Sequence, residues 1–186
     1  MAKLATTTYG DALFDLALEE AKTDALYEEA KAVLTAFNDN SELGKLLNHP
    51  KIEKSEKEKV IEDVFGKFVS KDMTGFLTIM IAKDRQRYIV DTLNYFMDRV
   101  LEYKRIGTVY VTTAAPLNDS QKEKVVKRLI ETTGYIQLIM NYSVDESLIG
   151  GMVIRIGDRV VDSSIKTKLE GLAKDLNKIQ LAQPLH

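Results

Sequence analysis

Lys104-Arg105-Ile106-Gly107-Thr108-Val109-Tyr110-Val111-Thr112-Thr113 is the stretch on which the fold turns. Before Arg105-Ile106-Gly107, apolar residues recur at three- to five-residue steps, the stripe of amphipathic helices. After it the period changes. Val109 to Thr113 is a short run of β-branched and aromatic residues, which favour strands, and Ala114-Ala115-Pro116-Leu117 breaks it. The chain therefore divides into a helical half, 1–105, and a mixed half, 106–186.

Upstream, Leu4, Tyr9, Leu13, Leu16 and Ala17 predict a first helix, with Thr6, Thr7 and Thr8 as candidate N-caps. A second helix reads from about Asp24 to Phe37 and stops at the turn cluster Asn38-Asp39-Asn40. A short third, Glu42 to Leu47, ends before His49-Pro50, because a residue preceding proline is pushed out of helical geometry. Ser55 with Glu58 reads as a capping box opening a fourth. A fifth covers Asp72 to Lys83. A long sixth covers Gln86 to Lys104, with Ile89, Leu93, Phe96, Met97, Val100 and Leu101 on its core face. Six helices with short connections predict an antiparallel bundle.

Downstream, a helix reads from Asn118 to Thr133, capped by Asn118 or Asp119 and ended near Gly134. Tyr135 to Tyr142 alternates like a half-buried strand. Met152 to Ile156 and Arg159 to Val161 flank Gly157-Asp158, a hairpin-turn dipeptide. Ser163 or Ser164 caps a last helix. The order β-α-β-β-β-α makes this half a small α/β domain, and the whole chain α+β.

Composition narrows function. The 186 residues carry 26 Lys+Arg against 28 Asp+Glu, so no basic surplus points to nucleic acid. There is no Cys, which excludes disulfides, thiolate metal sites and Cys nucleophiles, and only 2 His. No apolar run approaches the ~18 residues of a membrane span. The first twenty residues, interrupted by Asp11, Asp15, Glu19 and Glu20, resemble neither a signal nor a transit peptide. A soluble, intracellular protein is expected, reaching a membrane only through a partner. Within 1–30 there are 7 acids and 2 bases, a face that attracts a basic partner or is simply solvated.

Residue chemistry offers little for catalysis. Gly150-Gly151 leads into a strand and lacks the Lys-Ser/Thr of a phosphate loop, so it reads as a bulge or a close backbone approach. His49 precedes Pro50 in a loop, and His186 is terminal. Asp158 and Asp162 share spacing but suit a turn and a cap better than an acid–base pair. Asp84-Arg85-Gln86-Arg87 reads as a polar loop with an ion pair, or else as an anion site. No cofactor or metal is expected. A binding protein outranks an enzyme. A small enzyme or nucleic-acid module in the mixed half would need an acid–base pocket or a basic stripe.

The run Val144-Asp145-Glu146-Ser147-Leu148-Ile149-Gly150-Gly151-Met152-Val153-Ile154-Arg155-Ile156-Gly157-Asp158 resembles a known family. So do Val160-Val161-Asp162-Ser163-Ser164-Ile165 with Leu169, Tyr9-Gly10-Asp11-Ala12-Leu13-Phe14-Asp15-Leu16-Ala17, Leu46-Leu47-Asn48-His49-Pro50 with Lys57, and Ala114-Ala115-Pro116-Leu117. The family is the delta subunit of bacterial and chloroplast F-type ATP synthase, counterpart of the mitochondrial oligomycin-sensitivity-conferring protein. Asp84 stands where that family often has Gly, and Thr7 or Thr8 where an Arg commonly precedes the first Tyr.

The resemblance implies a non-catalytic stator subunit in a peripheral membrane complex, on the cytoplasmic face in bacteria. The helical half would hold amino-terminal helices of the alpha subunits in a groove made by the first and fifth helices. The mixed half would hold the ends of the b subunits of the peripheral stalk. Those two helices carry more apolar width than one core stripe needs, which marks a helix-in-groove site or central bundle helices. The expected groove residues are Tyr9, Leu13, Phe14, Leu16, Ala17, Phe76, Leu77, Ile79 and Met80. Asp145, Leu148, Gly150, Gly151, Ile154, Arg155, Gly157, Asp158 and Asp162 are expected to be structural signature residues.

Overall fold

A computed structural model describes residues 2–181, with side chains for 3–174. It is an α+β protein whose described residues form eight α-helices and one four-stranded sheet. The chain splits into two compact units, the division falling between Tyr103 and Lys104.

The first unit contains α1 (Ala2–Glu19), α2 (Thr23–Asp39), α3 (Ser41–Leu47), α4 (Lys54–Phe65), α5 (Lys71–Ala82) and α6 (Ile89–Tyr103). Its core is assembled by helical periodicity. On α6, Ile89, Leu93 and Phe96 are fully buried and Val100 nearly so, at steps that keep one face inward. They meet Leu13 and Ala17 of α1, Leu26 and Val33 of α2, and Met73, Leu77 and Met80 of α5. Burying each large side chain stabilises the fold by about 1.5–3 kcal/mol. Close approach of α1 to α6 depends on Gly10, which is buried against the Tyr95 ring, where a Cβ would collide.

Three local expectations need correction. Thr6, Thr7 and Thr8 lie inside α1 rather than capping it, and the Thr8 hydroxyl donates back to Leu4 O at 2.8 Å. Ser55 and Glu58 form no capping box, because α4 starts earlier, with Glu53 as its N-cap residue. The long sixth helix is interrupted: a 3₁₀ turn, Gln86–Tyr88, precedes α6. Asp84 adopts φ +56° just before this turn, a left-handed conformation that Asp tolerates better than most residues.

The second unit contains β1 (Ile106–Thr113), α7 (Asp119–Thr133), β2 (Gln137–Val144), a 3₁₀ turn Glu146–Leu148, β3 (Met152–Ile156), β4 (Arg159–Asp162) and α8 (Ile165–Leu181). The sheet order is β2-β1-β3-β4, with β1 parallel to β2 across the α7 crossover and the other pairs antiparallel. Asn118 and Gln121 form a reciprocal capping box at the start of α7, and Gly134 ends it at φ +73°. Val109 and Val111 are fully buried and pack with Leu129 of α7. The register puts Leu138, Met140, Ile154 and Ile156 on that same face. The opposite face is a solvated ladder: Thr112 and Ser143 share a hydrogen bond of 2.8 Å, and Arg155 lies 4.8 Å over the Tyr110 ring.

Candidate interaction site

In the first unit, the end of α1 lies near the start of α5, and the start of α1 near Arg85, beyond the end of α5. Lys22, just after α1, pairs with Asp72 in the first turn of α5 at 2.9 Å. At the other end, Leu4, Ala5, Thr8 and Tyr9 of α1 line a cavity of about 320 Å³ together with Arg85, which follows α5. Between these ends each helix packs mainly on others, α1 on α6 and α5 on α4. Lys22 also contacts Glu20, and its two acidic partners raise its pKa, Asp72 foremost, so its charge is secure.

The facing surfaces follow from helical geometry. Ala5 and Tyr9 continue along the same face of α1 to Ala12 and Leu16. Ile79 lies two turns beyond Asp72 and so shares its side of α5. Ile79 is 53% exposed and Ala12 is exposed, while Tyr9 and Leu16 are half-buried. The other expected groove residues are buried within the unit. Leu13, Ala17, Leu77 and Met80 are core, and Phe14 and Phe76 are 7% and 8% exposed. Phe14 packs edge-on against Tyr103 at 5.8 Å and beneath the Arg99 guanidinium at 5.2 Å. The extra apolar width of these helices is thus mostly consumed by neighbouring helices. Ala12 is small and adds little to a hydrophobic stripe, although its spacing of three from Tyr9 and four from Leu16 puts it on their face.

The acids of α1 also divide. Asp11 is committed within the unit, accepting the Tyr95 hydroxyl at 2.9 Å and pairing with Arg99 at 3.4 Å. Asp15 and Glu19 are exposed. The Asp84 to Arg87 cluster is an ion-paired loop: Lys54 reaches Asp84 at 2.6 Å and the Ala82 carbonyl at 3.0 Å.

In the second unit the signature residues knit one corner together. Asp145 Oδ1 accepts the Ser147 amide at 2.9 Å, Leu148 is buried, and the Gly150 carbonyl accepts the Ile165 amide at 3.0 Å. Gly151, at φ +77°, is pressed on the Ser163 carbonyl oxygen. Asp162 accepts Ser164 N at 2.8 Å and the Thr167 hydroxyl at 2.7 Å, and Ser164 Oγ accepts Thr167 N at 3.2 Å. Hydrogen bonds from Thr167 and then Ser164 hold the Asp162 carboxyl below the usual carboxylate range, and Ser147 does the same for Asp145. Gly157 and Asp158 form the β3–β4 turn, Ile154 joins the core and Arg155 stays on the ladder face. Asp158 therefore serves a turn, whereas Ser164, not Asp162, is the N-cap of α8, and Asp162 braces it from two residues upstream.

Two surfaces of this unit stand open. A groove of about 660 Å³ lies between α7 and the β3–β4 hairpin, with Leu129, Ile154, Ile156 and Val161 among its walls. Along α8, Ile165, Leu169 and Leu172 are exposed. His49 accepts the Lys51 amide within its loop, and His186 lies outside the described residues. No described helix is long and apolar enough to cross a membrane, and no group of three or more described His, Asp or Glu gathers as metal donors.

The sequence model of the ATP synthase delta (OSCP) subunit family matches residues 5–176. ATP synthase subunit delta of Lachnoclostridium phytofermentans is 54% identical over 181 residues, covering 97% of this chain and all of that protein. The namesake from Prochlorococcus marinus is 32% identical over 173 residues, covering 93% and 96%. A chain of the Toxoplasma gondii mitochondrial ATP synthase hexamer shares the fold, with a TM-score of 0.74 at 20% identity over 97% of this chain and 98% of that one.

Proposed function

The chain belongs to the ATP synthase delta (OSCP) family, and from that premise we propose that its two units grip different partners. It is a non-catalytic stator subunit of an ATP synthase, associated with the other subunits of that peripheral membrane complex. In our reading, the amino-terminal bundle of six helices holds amino-terminal helices of the alpha subunits. The carboxy-terminal β-α-β-β-β-α unit holds the ends of the b subunits. The complex sits on the cytoplasmic face of a bacterial membrane. Held at both ends, the chain resists the torque that the turning central stalk exerts on the catalytic head.

The observation that carries this reading is the exposed apolar track of Ala12 and Ile79 with half-buried Tyr9 and Leu16, on two helices that pack mainly on other neighbours. A partner helix laid there buries apolar surface without repacking the core, while Asp15 and Glu19 offer acids to its basic side chains. Co-purification tests it. The tagged chain should retain alpha subunits and b subunits of the same organism, and an Ile79→Asp variant should lose alpha while keeping b. Retention of neither subunit by the parent chain would refute the reading.

A further inference from the structure

Besides the groove at the β3–β4 hairpin and the bare side of α8, the far edge of the sheet is open. β2 is an edge strand of eight residues, Gln137-Leu138-Ile139-Met140-Asn141-Tyr142-Ser143-Val144, with no charge, proline or glycine among them. Natural edge strands are kept from pairing by charges, prolines, bulges or shortness. The opposite edge obeys this: β4 has four residues, with Arg159 and Asp162 at its ends. β2 instead presents a row of backbone donors and acceptors ready for another strand. Ile139 and Tyr142 along it are 38% and 39% exposed.

A second observation is the wall that α7 raises above this edge. The helix lies over β1 and β2, with Leu129 packed on Val109 and Val111 and the Lys122 ammonium 5.7 Å over the Tyr142 ring. Lys122, Val126 and Ile130 follow one another at steps of four on its flank. They line an open cavity of about 480 Å³ rimmed by Glu123, Lys127 and Glu131. Val126 is half-buried and Ile130 is 38% exposed. An open edge by itself accepts any extended chain, and the flank of α7 narrows the choice.

The choice falls on a second copy of this chain, because strand and helix flank share one two-fold centre. β1 and β2 are parallel, so the crossover helix α7 runs antiparallel to β2. From Lys122 over Tyr142, four helical residues advance about 6 Å and two strand residues about 6.6 Å, which sets Val126 over Met140. In an antiparallel β2 pair centred on Met140, Leu138 faces the partner's Tyr142 on the α7 side and Ile139 faces the partner's Asn141 on the other. The acids that follow the strand, Asp145 and Glu146, fall opposite the partner's Tyr135 and the partner's Gly134, so no like charges meet. The same axis brings Val126 toward its mate, Lys122 toward the partner's Glu131 and Glu123 toward the partner's Lys127. Within their own helix Lys122 and Glu131 hold Asp119 at 3.2 Å and Arg128 at 3.7 Å, weak surface pairs that leave both free to bridge copies. We propose that copies of this chain pair two-fold through β2 and the flank of α7, joining their sheets into one of eight strands.

This contact joins like chains and does not rest on the stator reading. Sedimentation equilibrium of the full chain, over about a hundredfold range of concentration, should show reversible exchange between monomer and dimer. Ile139→Lys places a charge on the open edge and should raise the dissociation constant at least about tenfold. Lys122→Glu or Glu131→Lys alone should weaken pairing about three- to tenfold, and the double variant Lys122→Glu/Glu131→Lys should restore it. Leu169→Asp, on α8, should leave pairing unchanged. None of these side chains is in the core, so the circular dichroism melts should match the parent. A parent that stays monomeric throughout, a dimer indifferent to Ile139→Lys, single reversals that the double variant does not rescue, or dissociation by Leu169→Asp overturns the proposal.

Discussion

The Tyr95 hydroxyl of α6 donates to Asp11 Oδ1 of α1 at 2.9 Å, one residue along from where Gly10 receives the same ring. The hydrogen bond raises the Tyr95 pKa and leaves the carboxylate shared with Arg99. Polar tie and steric fit therefore meet at one side chain, and they separate by mutation. Tyr95→Phe removes only the tie, which remains backed by Arg99, and should cost about 0.5–1.5 kcal/mol. Gly10→Val forces the ring and the helices apart, and should cost more, about 1–3 kcal/mol. Urea melts of the two variants check the order; a reversed ranking would mean that charge, rather than close packing, sets the α1–α6 contact.

Gly150 and Gly151 make different demands despite their adjacency. Gly151 combines φ +77° with a backbone carbonyl in the path of any Cβ, so Gly151→Val should cost well over ~1 kcal/mol. At Gly150 the obstacle is the tip of the Ile165 side chain, which has room to swing because that residue is 42% exposed. Gly150→Val should therefore be the milder change in denaturant melts. Curves for Gly151→Val that overlay the parent would remove the argument from backbone approach.

What the sequence disclosed and what it withheld follow a physical line. The Gly157-Asp158 turn, the Gly134 helix stop and the Asn118 cap were legible because each depends on a few neighbouring residues. Cap positions that hinge on a one-residue shift, such as Glu53 in place of Ser55, were not. The surface proposed to bind a partner helix was harder still. Phe14, Leu13 and Ile79 all look like apolar helix positions, and only packing by α6, α2 and α4 decides which remain at the surface. Asp11 likewise reads as a free surface acid until Tyr95 and Arg99 of α6 arrive across the fold.

The division at Tyr103–Lys104 leads to a third expectation. The helical unit has its own continuous core, drawn from all six helices, so a fragment of residues 1–105 should fold alone. It should show a helical circular dichroism spectrum and a cooperative thermal melt. A non-cooperative melt would show that the second unit completes the first.

Acid should loosen the second unit at a defined corner. Asp162 and Asp145 have folded-state pKa values below 3.8, set by the hydrogen bonds that their carboxylates accept. The stabilisation is therefore full above the ordinary carboxylate value and is lost as pH falls through the lower folded values. Asp162→Asn keeps an acceptor for the Ser164 amide but cannot ionise. Between about pH 5 and about pH 2, the parent should lose more thermal stability than this variant. Parallel pH profiles would show that the Asp162 charge is not what fastens the start of α8.

The groove prediction turns on separating folding from binding. Phe14 and Phe76 are buried, so truncating either to Ala should destabilise the bundle by about 3–5 kcal/mol, a fold effect that will weaken any partner indirectly. Ile79 is 53% exposed and Ala12 is exposed, so Ile79→Asp and Ala12→Lys should leave the melting curve nearly unchanged. If a helix of the alpha subunit lies between α1 and α5, these quiet substitutions should nonetheless weaken it strongly, because each puts a charge into a surface that must dehydrate. Asp15→Ala should matter less, since an exposed ion pair is worth about 0–1 kcal/mol and is screened by salt. Calorimetric titration with a synthetic alpha amino-terminal peptide, at low and high salt, measures all three. Unaltered binding by Ile79→Asp and Ala12→Lys, beside lost binding by Asp15→Ala at low salt alone, would place the affinity in the acidic rim and not in the apolar track.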